Sequence, residues 1–296
     1  MACKNYFTEF IILPFRIFIT VFKKNYWKIQ SWQNGIDKVH FNLNQKLKKA
    51  IKISLLLGFL SLLIITYFIY TSYLTGPADI VSIRLNPDSI NVSLYWKQPN
   101  GKLYGNIGQL KMELENQKKK LIFATNGGMF DKKQTPVGLF VENGKQVIQV
   151  NTKEINPDKD GNIPNFYLNP NGVFFVTFTN KVGICKTSLF RQDSLTKFAT
   201  QSGPMLLIEG KINPAFSQKS NNYHIRNGVG ILPDNDLIFA ISKNKVTFYD
   251  FANYFKEQGC INALFLDGYV SKAFIPEQGV EQLDGDLGVI IGITEK

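Results

Sequence analysis

The sequence predicts an α+β protein: a mixed, antiparallel-rich sheet with few helices, preceded by one N-terminal transmembrane helix. Three observations predict it. An uncharged apolar run separates a basic arm from everything that follows. Beyond that run, short β-rich stretches alternate with turn signals such as Asn-Gly and Asp-Asn-Asp. Only two stretches in that region carry a helical pattern.

The apolar run is Ile53 to Leu74, ISLLLGFLSLLIITYFIYTSYL, 22 residues without a charge. At about 1.5 Å per residue it is long enough for a hydrocarbon layer of roughly 30 Å. Tyr67, Tyr70 and Tyr73 stand near its outer end, where aromatic rings anchor at the interface. A buried helix of a soluble protein would show a polar face over this length, and this run shows none. A cleaved signal peptide fits poorly, because the arm is too long and no A-x-A-like site follows. No lipobox-like Leu-x-x-Cys is present.

Charge divides at the same place. Met1 to Lys52 holds 10 Lys/Arg against 2 acids, and the rest of the chain holds 24 against 21, within a net charge of +11. The basicity belongs to the arm, which argues for a membrane and against a nucleic-acid partner. Lys46, Lys48, Lys49 and Lys52 precede the run, so the positive-inside rule sets the N-terminus in the cytoplasm. The expected plan is a cytoplasmic arm at 1–52, a single span at 53–74 and an outer domain at 75–296. That domain would lie outside the inner (cytoplasmic) membrane, periplasmic or extracellular. Phe10 to Phe22 is too short to span and contains Pro14 and Arg16; with Lys23 and Lys24 behind it, it suits the inner leaflet.

Thr75-Gly76-Pro77 breaks the span and opens the outer domain. A helix is predicted over Leu110 to Lys120, running into the strand Leu121-Ile122-Phe123-Ala124. Phe140 to Val147 reads as a hairpin, with Asn143-Gly144 supplying a type I′ turn. Pro170-Asn171-Gly172 precedes a strand over Val173 to Phe178. A second hairpin joins Gly230-Ile231-Leu232 to Leu237–Ile241 through Asp234-Asn235-Asp236. A second helix is predicted over Asp250 to Gln258, with Asp250 as N-cap and Gly259 as its stop. It leads into the strand Ala263-Leu264-Phe265-Leu266. Both helix-to-strand units end in a polar, glycine-containing turn, a common place for a site.

Four polar clusters interrupt the strands. They are Asn126-Gly127-Gly128-Met129-Phe130 with Pro136-Val137-Gly138-Leu139; Gln201-Ser202-Gly203-Pro204; Arg226-Asn227-Gly228-Val229-Gly230; and Leu266-Asp267-Gly268 with Ser271. Each joins glycine, which lets backbone approach a ligand, to side chains able to bind hydroxyls or an anion. Singly, each is also an ordinary turn former. Cys185 and Cys260 lie beyond the span, where a disulfide and two buried thiols are both open readings. With no CxxC and one histidine outside the arm, His224, neither a zinc site nor a histidine-rich centre is expected. Oxygen ligation of a metal by scattered Asp and Asn stays open, and no cofactor is called for. His224 suits a structural role better than acid–base work. A Ser-His-Asp triad would need His224, and no GxSxG elbow supports one.

In order, ATNGGMF, TPVGLFVENGK, NFYLNPNGVFFV, ATQSGPML, IRNGVG and NALFLDG resemble the phosphodiester glycosidase family, from about Asp79 to Ile293. Its bacterial members are described as exopolysaccharide-associated. The resemblance implies a carbohydrate phosphodiester substrate, cleaved at the C1–O bond. It implies Asp267 as the carboxylate that stabilises or attacks an oxocarbenium-like centre. Arg226 would clamp the phosphate bidentately, and Asn126 would bind sugar hydroxyls or phosphate. Gln201, Ser202, Gly203, Asn227, Gly268 and Ser271 would complete the shell, with the Gly127 and Gly128 amides forming an anion-binding concavity. Against these stand plainer roles: Asp267 as a turn cap, Arg226 in a surface ion pair. The chain departs from the family at Tyr269-Val270-Ser271-Lys272, where a lysine stands in place of a usual second serine. That departure favours an alternative, an inactive membrane-tethered glycan-binding or polysaccharide-assembly factor. Hydrolysis at phosphorus finds no nucleophile or dinuclear metal pattern.

Overall fold

A computed structural model describes residues 45–74, 79–156, 163–267 and 270–296. The inner-leaflet stretch at Phe10–Phe22, the break at Thr75-Gly76-Pro77 and the turn residues Gly268 and Tyr269 lie outside the described residues. The chain forms two compact units, Met1–Leu74 and Thr75–Lys296.

The first unit contains helix α1 (Gln45–Leu74), 30 residues long. It starts before the expected span because Gln45 to Lys52 is built of good helix formers without Gly or Pro. Within it, Lys49–Tyr67 is long and apolar enough to cross a membrane, and none of that stretch is buried. Leu55, Leu56 and Leu57 are each more than half exposed. A helix of a soluble core would bury such residues.

The second unit is a three-sheet fold. Its strands begin with β1 (Ile80–Leu85), β2 (Ile90–Tyr95), β3 (Leu121–Asn126), β4 (Phe140–Glu142) and β5 (Lys145–Ile148). There follow β6 (Gly172–Thr177), β7 (Val182–Lys186), β8 (Thr196–Ser202), β9 (Met205–Ile208) and β10 (Lys211–Ile212). The last are β11 (Asn227–Ile231), β12 (Leu237–Ser242), β13 (Asn262–Asp267), β14 (Ala273–Ile275), β15 (Val280–Glu281) and β16 (Ile290–Glu295). Sheet one runs β1-β12-β11-β13-β9-β10, sheet two β15-β14-β3-β16-β2, and sheet three β5-β4-β8-β6-β7. The α+β, antiparallel-rich expectation holds. The parallel pairs of a mixed sheet are absent among the described residues, and the one expected sheet is three. Period-2 patterning reveals which face of a strand is buried but not which strand lies beside it.

All three sheets turn one face to a common core. Phe123 on β3, Phe239 on β12 and Phe174 on β6 meet there, with ring centroids 4.6 Å and 6.2 Å apart across Phe239. Two short helices cover outer faces. Helix α2 (Ile107–Asn116) packs Leu110 and Leu114 against Ala124, Phe274 and Ile290 of sheet two. It begins earlier than predicted because Asn106 caps it, accepting the Gln109 N–H at 2.8 Å. It ends earlier because Lys118 turns left-handed, at φ 59°.

Helix α3 (Phe248–Glu257) packs Phe251 and Phe255 against sheet one. Asp250 is not its N-cap: Thr247 is, and Asp250 closes a reciprocal capping box three residues on. Gly259 follows in the left-handed region at φ 82°, as its stop role requires. The expected hairpin turn is also present, Asn143 and Gly144 standing at φ 49° and 81°. Cys185 and Cys260 are free, so the disulfide reading falls. Cys260 lies buried beside α3, and burial pushes its thiol up to about 12.

Candidate active site

The site grows from the end of β13. Its register against β11 pairs Phe265 with Gly228, then slips by one residue so that Asp267, not Leu266, stands opposite Asn227. Directly opposed residues share a face, so this bulge re-aims the carboxylate toward the Asn227 side of the sheet. Asp267 is 5% exposed. Its backbone is clasped on both sides. The Asp267 N–H donates to Asn227 Oδ1 at 3.1 Å, and its carbonyl accepts the Ser271 hydroxyl at 2.6 Å. One residue back, the Leu266 carbonyl accepts from Ser202 Oγ at 2.6 Å. A further residue back, the Phe265 N–H donates to the Pro204 carbonyl at 3.1 Å.

Asn227 ties this strand end to sheet two. Its amide nitrogen donates to Thr125 Oγ1 at 2.8 Å and to the backbone and side-chain oxygens of Asn126, each at 3.1 Å. Asn126 Oδ1 also accepts the Lys272 N–H at 2.9 Å, and Thr125 donates to the Lys272 carbonyl at 2.8 Å. Asn126, Asn227 and Ser202 are fully buried. A satisfied buried network of this kind is rigid, since breaking any member strands another in low dielectric. Lys272 enters it through its backbone alone. Its ammonium reaches out to Asp284 at 3.0 Å and, by that hydrogen bond, holds the Asp284 carboxyl below its usual range.

Of the predicted residues, Asn126, Ser202, Asn227, Asp267 and Ser271 therefore come together. Arg226 does not join them. Its side chain is fully buried on the α3 side of sheet one, 3.6 Å above the Phe248 ring. Its Nε donates to the Val246 carbonyl at 3.0 Å, and one Nη donates to the Asn222 carbonyl and side chain at 2.8 and 3.1 Å. Burial pulls its pKa down to about 10.

Gln201 is also elsewhere. Its neighbours Thr200 and Ser202 bond inward, to the Gly127 and Leu266 carbonyls, while Gln201 bonds Leu139 and Asn151 on the outer face of sheet three. The Gly127 N–H is engaged by the Val289 carbonyl at 2.8 Å, which removes one donor from the expected anion concavity. What requires glycine there is close packing: a Cβ on Gly127 would lie 2.8 Å from the Ile291 side chain. A Cβ on Gly128 would meet Thr200 Oγ1, and one on Gly203 would meet Asn171. Gly268 lies outside the described residues. His224 forms a backbone bridge with Val246 and leaves its ring exposed, its pKa lowered by partial desolvation and then by the Arg226 and Lys245 charges. Thr125 is a member that sequence reasoning missed, although it stands directly before Asn126, just outside the first cluster.

Among the described residues, no three His, Cys, Asp or Glu side chains gather to hold a metal ion. A cavity of about 290 Å³, lined in part by Asn169, Pro204, Lys219, Asn222 and Phe248, opens on the α3 side.

The fold and these motif-bearing strand ends define a class. The phosphodiester glycosidase family model (NAGPA) matches residues 119–287, and the chain belongs to that family. More particularly, it is 36% identical to YigE, an uncharacterized protein of Escherichia coli K12, over 192 residues, which is 64% of this chain and 72% of that protein. The chain is also similar to the catalytic domain of zebrafish N-acetylglucosamine-1-phosphodiester alpha-N-acetylglucosaminidase, auto-inhibited by its pro-peptide. The TM-score is 0.50 at 15% identity, covering 75% of this chain and 85% of that one, a likeness of fold.

Proposed function

We propose that this chain is a membrane-anchored glycosidase that cleaves the C1–O bond of sugar 1-phosphodiesters in envelope or extracellular glycans. Family membership supports the reaction class, and the name of the zebrafish enzyme carries the same bond type. The observation that carries the assignment to Asp267 is convergence. Ser202, Asn227 and Ser271, from three separated segments, all bond the backbone of Leu266 or Asp267.

That arrangement fixes the backbone that carries the carboxylate. Phosphate is a good leaving group and needs little acid assistance, so one well-placed carboxylate suffices to stabilise or attack the anomeric centre. Asn126 and Asn227 hold the strand end, and Arg226 positions the Asn222 loop and α3 beside it. The binding-only alternative rested on Lys272, and its side chain turns away to Asp284.

Products test the reading. The full chain in detergent, incubated with a sugar-phosphodiester library and read by mass spectrometry, is expected to release free sugar and a phosphomonoester. Sugar 1-phosphate would make it a phosphodiesterase, and no turnover would make it a binder. We also assign α1 as the single span, with the arm cytoplasmic and the second unit outside the inner membrane. A reporter fused after Lys296 is expected to behave as external; a cytoplasmic signal would reverse the topology.

A further inference from the structure

Gln201 belongs to a motif, yet it serves a different place from Asp267. Its Oε1 accepts the Leu139 N–H at 3.0 Å and the Asn151 N–H at 2.9 Å, and its Nε2 donates to the Asn151 carbonyl at 2.7 Å. Gly138 is required beside it, because a Cβ there would lie 2.5 Å from Gln201 Oε1. These bonds hold the segment after β5 against the outer face of sheet three, where Leu139, Val141, Val173 and Ala199 form a small apolar floor. Beside that floor opens a second cavity of about 380 Å³, bordered by Leu139 and Val150 on the Gln201 side.

The remaining lining is chemically distinctive. It includes Gln146, Thr187, Ser188, Phe190, Arg191 and Gln192, and no carboxylate. Two of the lining residues, Thr187 and Gln192, each carry a buried oxygen without a hydrogen-bond partner, Oγ1 and Oε1. Such an atom destabilises the fold unless a partner is supplied from outside the chain. The Gln192 amide nitrogen is already fixed on the Gly144 carbonyl at 3.1 Å, so the carbonyl oxygen is held as an acceptor. The Arg191 guanidinium is pinned at the rim by the Ser188 and Phe190 carbonyls, at 2.9 and 2.7 Å. Amides and hydroxyls that donate and accept, an aromatic ring and one fixed guanidinium match the hydroxyl-studded and apolar faces of a sugar ring.

We propose that this outer-face cavity is a second carbohydrate-binding site, separate from Asp267, which takes a pyranose unit of a glycan chain. It does not depend on the reaction assigned to Asp267. It would hold a polymer on the domain while a different segment of glycan reaches the strand ends.

The test uses the full chain in detergent and hexasaccharides of glucose, mannose, N-acetylglucosamine and galacturonic acid, none carrying a phosphodiester. At least one is expected to bind by calorimetry in the millimolar range or tighter. Thr187→Val and Gln192→Leu should each weaken it by at least about tenfold, or about 1.4 kcal/mol. Gln146→Ala, at a half-buried wall position, should also weaken it without disturbing the fold, and Asp267→Asn should leave it unchanged. The idea is overturned if no hexasaccharide binds. It is also overturned if Asp267→Asn abolishes binding, which would place the sugar at the active site. Unchanged binding in both Thr187→Val and Gln192→Leu would show that neither oxygen meets the sugar, and would sink it as well.

Discussion

Asp267→Asn is expected to lower turnover on a sugar phosphodiester by at least about 10²-fold, the usual cost of losing a group that acts in the transition state. The fold should survive. The clasp around this residue uses its N–H and carbonyl, with Asn227 Oδ1 and Ser271 Oγ as partners, and an asparagine backbone offers the same groups. Asparagine also keeps the shape of the side chain, so stability is expected to change by no more than about 1 kcal/mol. The paired measurement is kcat by product release and the melting midpoint of the same preparation. Activity above about a tenth of wild type would remove Asp267 from the chemistry. A large fall in midpoint would instead make its carboxylate part of the scaffold.

Arg226→Lys is expected to act on structure first. The guanidinium serves the Val246 carbonyl and the Asn222 loop at once while lying flat on Phe248, and an ammonium cannot do all three. Losing the charge-assisted hydrogen bonds of a buried guanidinium costs about 2–4 kcal/mol. For a unit of this size, that lowers the melting midpoint by roughly 5–15 °C. Activity should fall to a similar degree on a phosphodiester and on an uncharged aryl glycoside of the same sugar. The contrary result is sharp: an unchanged midpoint with a loss of about 1–3 kcal/mol confined to the phosphodiester. That pattern would make Arg226 the phosphate clamp and dismiss the positioning role.

Much of the scaffold was legible because it rests on local rules. Asn143-Gly144 demanded positive φ at two consecutive positions, and Gly259 demanded it after α3; both stand as read. The start of α3 is legible too, since Thr247 and Asp250 have capping-box spacing, and Asp250 reads as the cap only when Thr247 is overlooked. The site was harder for a specific reason. Arg226 and Asn227 are adjacent on an extended chain, as are Gln201 and Ser202, and alternation must send each pair to opposite faces. Treating each motif as one cluster hid that division. The slip that sets Asp267 opposite Asn227 leaves no compositional trace, because any residue can be the extra one in a bulge. The gathering of β3, β8, β11 and β13 at one place depends on long-range pairing, which no window of sequence contains.

The position of β16 bears on the timing of synthesis. This strand, residues 290–295, lies between β3 and β2, and its first residue pairs with Asn126. While a ribosome is still making the region before it, β3 has an open edge and Asn126 lacks its ladder partner Ile290. The candidate site thus draws on strands far apart in the sequence. The strand ends around Asn126 and Asp267 are complete only once residues 79–295 have emerged and closed together.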